Sequence, residues 1–153
     1  MGVAATVLSP APMRDHTRLR AFELADSLAL AVYRHTGDFP RSELFGLTAQ
    51  LRRGAVSIPS SIVEGCARST HGDYVRFLDV AFASAREVEY QLLLARRLGY
   101  LDEAAHSELA PLSAETGRVL GGLIRALRAR GAASTPADGQ SFVAAASTQR
   151  PQA

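Results

Sequence analysis

Residues 46–68 read GLTAQLRRGAVSIPSSIVEGCAR. Leu47, Leu51, Ala55, Ile58 and Ile62, with Leu44 just ahead of them, recur every three or four positions, the spacing of an apolar stripe along a helix. Arg53, Ser57, Ser60 and Glu64 keep the same period on the opposite side. Pro59 stands in the middle, where it removes a backbone donor and crowds the carbonyl of Ala55, at a cost of ~3 kcal/mol in an ordinary helix interior. A helix that keeps two ordered faces through such a residue must be held by what it packs against. The stretch therefore predicts a bundle helix, with Ser57, Ser60 and Ser61 expected to satisfy the backbone groups that the proline leaves unpaired.

Outward from it the period stays helical, and no alternating strand pattern survives. A helix over about 18–35 carries Phe22, Ala25, Ala29 and Val32 on one stripe, widened by Leu24, Leu28 and Ala31. The proline helix is expected from about 42 to 68, with Ser42 as its N-cap. A third, about 73–98, sets Tyr74, Leu78, Ala81, Ala85, Val88, Leu92 and Ala95 alternately four and three apart, a heptad seam. Phe77, Val80, Phe82, Leu93 and Leu94 lie off that seam, so this helix is apolar on more than one side. Gly99 ends it in the usual C-terminal position. A fourth, about 102–130, aligns Leu109, Leu112, Thr116, Val119, Leu123 and Leu127, although Pro111 and the Gly121-Gly122 pair weaken it. The expected fold is all-α, an up-down-up-down four-helix bundle over 15–130 joined by short links. Residues 1–14 are predicted to be a flexible N-terminus and 131–153, rich in Ala, Ser, Gly, Pro and Gln, a disordered C-terminal tail.

Composition narrows the function classes. The chain has 153 residues, 47% hydrophobic and 21% charged, and a formal net charge of +2, which suits one ordinary globular domain. No apolar run approaches the ~18 residues needed to span a bilayer. The first residues lack the basic and long apolar regions of a secretory signal. MGVAAT fits the myristoylation pattern, but so do many sequences by chance. A single cysteine, Cys66, leaves no internal disulfide or multi-cysteine metal site and points to a reducing, cytoplasmic compartment. Every basic residue is an arginine, a bias that a GC-rich genome produces as readily as selection for phosphate contacts does. An excess of two charges does not by itself predict nucleic acid binding.

Catalytic patterns are missing. His16, His35, His71 and His106 fall one per linker or helix end, with no His-x-x-x-His pair, and read as solvated polar residues. No phosphate loop or nucleophile elbow occurs, and Cys66 reads as a small buried apolar residue. Glu64, Glu87 and Glu89 invite comparison with di-iron bundles, but positions 67 and 92 are alanine and leucine where a Glu-x-x-His motif needs histidine. Glu89 is expected to lean toward the seam and to pair with Arg53 or with an arginine of a neighbouring subunit. No cofactor is expected. A small metal- or carboxylate-dependent enzyme such as an RNA nuclease, using Glu64 and Glu89 with an arginine, is the alternative function.

Residues 46–68, followed by YVRFLDVAFASAREVEYQLLLARRLGYL at 74–101 and preceded by FELADSLALAVYRHTGDFP at 22–40, closely resemble the four-helix-bundle proteins encoded in bacterial 23S rRNA intervening sequences. The family's R-R-A-x-S-I-P-S-N-I-A-E-G core is matched by Arg52, Arg53, Ala55, Ser57, Ile58, Pro59, Ser60, Ile62, Glu64 and Gly65. Ser61 stands for the usual Asn, Val63 for Ala, and Gly54 for a typical alanine. The resemblance implies a homopentamer of non-enzymatic function. A related branch, the accessory variability determinants of diversity-generating retroelements, implies nucleic acid, RNA or DNA, and a reverse transcriptase as partners. On that reading Arg41, Arg52, Arg53, Arg68 and Arg76, expected near one end, are the candidate nucleic-acid or partner contacts. Arg53, Ser57, Ser60, Glu64 and Glu89 are the candidate polar network or subunit contact.

Overall fold

A computed structural model describes residues 13–134. The expected flexibility of residues 1–12 and 135–153 concerns positions outside that range. Among the described residues the regular structure is helical: α1 Arg20–His35, α2 Leu47–Cys66, α3 His71–Arg97 and α4 Glu103–Ala133, with short 3-10 turns at His16–Arg18 and Arg41–Glu43. Each helix packs on two others, α1 on α2 and α4, α3 on α2 and α4, so the four close around one core. A Cβ at Gly54 would touch Val88 and one at Gly65 would touch Phe77, while Ser57 meets Ser84 between them. Those pairings run α2 and α3 in opposite directions.

The helix ends follow local chemistry. The Thr70 hydroxyl accepts the N–H of Asp73 at 3.1 Å and the Asp102 carboxylate that of Ala105 at 2.8 Å, capping α3 and α4. Gly99, at φ 77°, takes the left-handed position after α3. The N–H of Tyr100 returns to the Ala95 carbonyl and that of Gly99 to the Arg96 carbonyl, each at 2.9 Å, which completes a Schellman end. The start of α2 departs from expectation. Ser42 lies in the 3-10 turn, and the cap is the Glu43 carboxylate, whose Oε2 accepts the N–H of Leu47 at 2.8 Å. Leu44 consequently sits outside the helix and is 51% exposed. At the other end of the chain, α4 passes unbroken through Pro111 and Gly121-Gly122 to Ala133, three residues past the expected boundary.

Through Pro59, α2 also stays continuous. Leu51, Ala55, Ile58 and Ile62 are fully buried on its inner face. At ~1.5–3 kcal/mol for each large aliphatic side chain removed from water, three of them outweigh the ~3 kcal/mol cost of the proline. Ser57 does not turn back to the backbone as expected: its hydroxyl hydrogen-bonds that of Ser84 on α3 at 3.0 Å.

All seven seam residues of α3 are buried. In α4 the buried stripe is Leu109, Ser113, Thr116, Leu120 and Ile124, while Leu112, Val119, Leu123 and Leu127 pack only partly against the core. Apolar residues cover so wide an arc of α4 that the period alone leaves the phase open by about one position.

Candidate functional site

The polar stripe of α2 does not form one network. Arg53 and Ser60 are exposed. Ser57 turns to Ser84, and Glu64 takes Arg68 one helical turn on, at 2.8 Å. Within the subunit Glu89 pairs with Arg86 on its own helix rather than with Arg53, since residues three apart share one helix face. Glu64 and Glu89 also lie far apart. Gly65 faces Phe77, and Glu89 is twelve residues further along α3, about 18 Å at the helical rise. Among the described residues no three His, Cys, Asp or Glu side chains are grouped so as to hold a metal ion.

What the stripe does border is a cleft of about 250 Å³ between α2 and α3, lined by Gln50, Arg53, Gly54, Ser57, Ser84 and Glu87. Under it Gln91 is 4% exposed. Its amide nitrogen donates to Glu87 at 3.1 Å, and its Oε1 has no partner. A larger groove, about 560 Å³, runs between α3 and α4 past Tyr90, Leu93, Ala110 and Pro111. Val80, Tyr90 and Leu93, on the outward side of α3, are 47%, 61% and 46% exposed. The apolar residues off the seam thus include a set that the subunit itself leaves in water.

The five candidate arginines divide between the two ends of α2. Arg41 lies in the 3-10 turn before the helix, and Arg52 and Arg53 in its first half. Arg52 lies over the Tyr33 ring at 4.8 Å and donates from Nε to the Thr36 hydroxyl at 2.8 Å. Arg68 follows the helix end, some 24 Å from Arg52 along the axis. The expectation of a single cluster fails because one continuous helix separates its members.

At the α2–α3 corner a different group assembles. The guanidinium of Arg68 lies over the Phe77 ring at 4.5 Å and that of Arg76 over the same ring at 5.2 Å. Arg14 lies over Tyr74 at 4.4 Å and donates to the Arg68 carbonyl at 3.0 Å. Arg14 falls in the segment expected to be a flexible N-terminus, and nothing local in its sequence marks it, since its partners are 54 and 60 residues away. Phe77 was legible only as an apolar residue off the seam.

Below this corner Cys66 is buried and free. Burial pushes its thiol up, against a hydrogen bond from Tyr74 that acts the other way. Tyr74 is itself pushed up to about 12, chiefly by burial and then by Cys66. The pair behaves as packed neutral groups at physiological pH, not as an activated nucleophile.

The histidines are more engaged than their linker positions suggested. His35 Nε2 is 2.7 Å from Glu108 Oε2, and His71 Nε2 donates to the Leu127 carbonyl at 3.0 Å. The His16 ring meets Phe22 edge-on at 4.7 Å between centroids. The His35 hydrogen bond, helped by Arg34, holds the Glu108 carboxyl below its ordinary range.

Among the described residues no helix is long and apolar enough to cross a membrane. No curated protein matches the sequence. The fold is similar to a crystal structure from Bacteroides thetaiotaomicron VPI-5482, a protein with unknown function from the S23 ribosomal protein family, at a TM-score of 0.62 and 22% identity over 69% of this chain and 98% of that one. The family model of the 23S rRNA-intervening sequence proteins matches residues 17–122, a span that begins in the 3-10 turn before α1 and ends well inside α4. With four helices closed around one core and a family match across all four of them, the chain belongs to the 23S rRNA-intervening sequence protein family.

Proposed function

We propose that the protein is a subunit of a cytoplasmic homo-oligomeric scaffold, a pentamer of up-down-up-down four-helix bundles, that acts by binding RNA and not by catalysis. The observation that carries the assembly is the outward side of α3, where Val80, Tyr90 and Leu93 stay about half in water and the last two line a groove between α3 and α4. Covering such a face removes apolar surface from solvent at roughly 25 cal/mol per Å², and a closed ring of identical subunits covers it without leaving an open end. RNA is favoured by the membership of a family encoded within ribosomal RNA genes and by a basic set made wholly of arginine, whose planar fork suits phosphate.

Light scattering at micromolar concentration tests the assembly. The expected mass is near five times the 16.3 kDa subunit, and a monomer would sink it. Filter binding to structured RNA at two salt concentrations tests the ligand, because phosphate contacts weaken as salt rises. Absence of binding at low salt moves the reading to a protein partner, for which a reverse transcriptase is what the resemblance to the retroelement accessory proteins implies.

A further inference from the structure

We propose that RNA is taken at the corner where α2 hands over to α3, with Arg14, Arg68 and Arg76, mounted on Tyr74 and Phe77, forming a site for a single-stranded segment. This rests on the RNA-binding reading above and adds where the strand lies and which form of RNA it is.

Three observations favour this end over the one that carries Arg41, Arg52 and Arg53. The first is charge. Residues 13–23, 63–79 and 124–134 are gathered here by the helix directions and carry eight arginines against five carboxylates, whereas 34–53 and 90–108 at the far end carry six against five. The excess of the described chain is therefore concentrated at this corner, and an oligomer repeats it in every subunit.

The second is geometry. The guanidinium carbons of Arg68 and Arg76 lie 4.5 and 5.2 Å from the centre of the Phe77 ring, and that of Arg14 lies 4.4 Å from that of Tyr74. A guanidinium spread on a ring has already lost much of its side-chain freedom, so less entropy remains to be lost when its N–H edges meet a phosphate. Its outer face also remains a platform for an unpaired base, the contact by which single strands are held without sequence readout.

The third is availability. Arg68 and Arg76 are 43% and 69% exposed, and their carboxylate partners, Glu64 at 2.8 Å and Asp73 at 3.4 Å, are 54% and 46% exposed. Exposed pairs of this kind hold by ~0–1 kcal/mol, so a phosphate displaces them readily. Arg14 pairs with no carboxylate among the described residues and spends one donor on the Arg68 carbonyl, leaving the others of its fork. At the far end Arg52 also lies over a ring, that of Tyr33 at 4.8 Å, but has its Nε committed to Thr36, and among the described residues Arg41 and Arg53 rest on no ring.

The test is fluorescence anisotropy of the full-length protein with a labelled single-stranded RNA of about a dozen nucleotides, and with the same sequence as a duplex, at 50 and 200 mM salt. The triple variant Arg14→Ala, Arg68→Ala, Arg76→Ala is expected to bind the single strand at least about tenfold more weakly, with a salt slope shallower by about two. The triple variant Arg41→Ala, Arg52→Ala, Arg53→Ala is expected to stay within about threefold of the parent. Equal losses in the two triples, or a larger loss in the second, overturn the proposal while leaving RNA binding standing. No binding by the parent at 50 mM salt removes the RNA reading itself. Should the alanine triple fail to fold by circular dichroism, the corresponding lysine triple decides. It keeps the charge and loses the planar stack, so a several-fold weaker affinity at an unchanged salt slope supports the site, and parental affinity overturns it. Duplex bound as tightly as single strand overturns the stacking role.

Discussion

Glu43 reaches Tyr100 across the end of the bundle: its Oε1 accepts the phenol hydroxyl at 3.2 Å while its Oε2 accepts the Leu47 N–H at 2.8 Å. One carboxylate thereby caps α2 and ties that cap to the turn between α3 and α4, where Tyr100 also packs against Phe39 at 5.6 Å between ring centroids. Glu43→Ala removes both bonds and is expected to destabilise the subunit by about 1–2 kcal/mol. Tyr100→Phe, which keeps the ring contact, should cost less than about 1 kcal/mol. In a double-mutant cycle by urea denaturation, Tyr100→Phe added to Glu43→Ala should cost almost nothing, since its partner is already gone. Full additivity would mean that the two side chains do not act together.

Gly54 and Gly65 both lie where α2 meets α3, but they differ in what an added methyl would strike. At Gly54 the Cβ would come 2.9 Å from a γ-methyl of Val88, and at Gly65 it would come 2.9 Å from the Cβ of Phe77 and 3.4 Å from the Tyr74 carbonyl. Alanine gains about 1 kcal/mol of helix propensity at either position. A γ-methyl yields by a small shift, so Gly54→Ala is expected to be near neutral, whereas adding Val88→Ala loses the clash but truncates a fully buried seam residue and is expected to cost about 1–2 kcal/mol relative to Gly54→Ala. A Cβ and a carbonyl move only with the backbone, so Gly65→Ala is expected to push the helices apart and destabilise by about 1–3 kcal/mol. Thermal melts of the three variants would rank them. Equal melting temperatures for Gly54→Ala and Gly65→Ala would contradict the distinction.

The α3 seam was fully legible because the seven positions from Tyr74 to Ala95 repeat at one spacing and all face one core. The start of α2 was not, because the capping group is Glu43, four residues ahead of the N–H it serves, whereas sequence points to a short hydroxyl side chain immediately before the helix. Pro59 marked a supported helix correctly, yet the role given to its serines was wrong for Ser57, since the neighbour Ser84 lies 27 residues away and only the α2–α3 pairing brings it near. For the candidate site, arginine content was legible and arrangement was not. Period-based reading groups residues on one helix face, while Arg14, Arg68 and Arg76 come from three segments and meet on two rings of α3, Tyr74 on the seam and Phe77 off it.

Gln91 leaves a buried carbonyl oxygen without a partner beneath the cleft between α2 and α3. An unmet buried acceptor costs about 1–3 kcal/mol, more than the single hydrogen bond to Glu87 returns. Gln91→Met keeps the length and removes the orphan. It frees Glu87, which is exposed and needs no other partner. The variant is expected to be as stable as the parent or up to about 2 kcal/mol more so by guanidinium denaturation. A loss above about 1 kcal/mol would show that Oε1 is satisfied in solution, by water entering from the cleft.

His35 and Glu108 connect α1 to α4 through the 2.7 Å contact between Nε2 and Oε2. The hydrogen bond from His35 is the largest cause of the lowered carboxyl, with Arg34 contributing less. A carboxyl whose folded value is depressed binds fewer protons in the native state than in the unfolded one between the two values. Its contribution to stability is therefore complete above the ordinary carboxylate range, near the reference value of 4.5, and is lost as the pH falls through the lowered folded value. His35→Asn is expected to move the Glu108 titration back up toward that reference, read from its side-chain carboxyl carbon by NMR. The same substitution should flatten the decline of the melting temperature as the pH falls below the ordinary carboxylate range. If the Glu108 midpoint stays where it is in the parent, Arg34 and not His35 holds the carboxylate, and Arg34→Gln should then produce the upward shift instead.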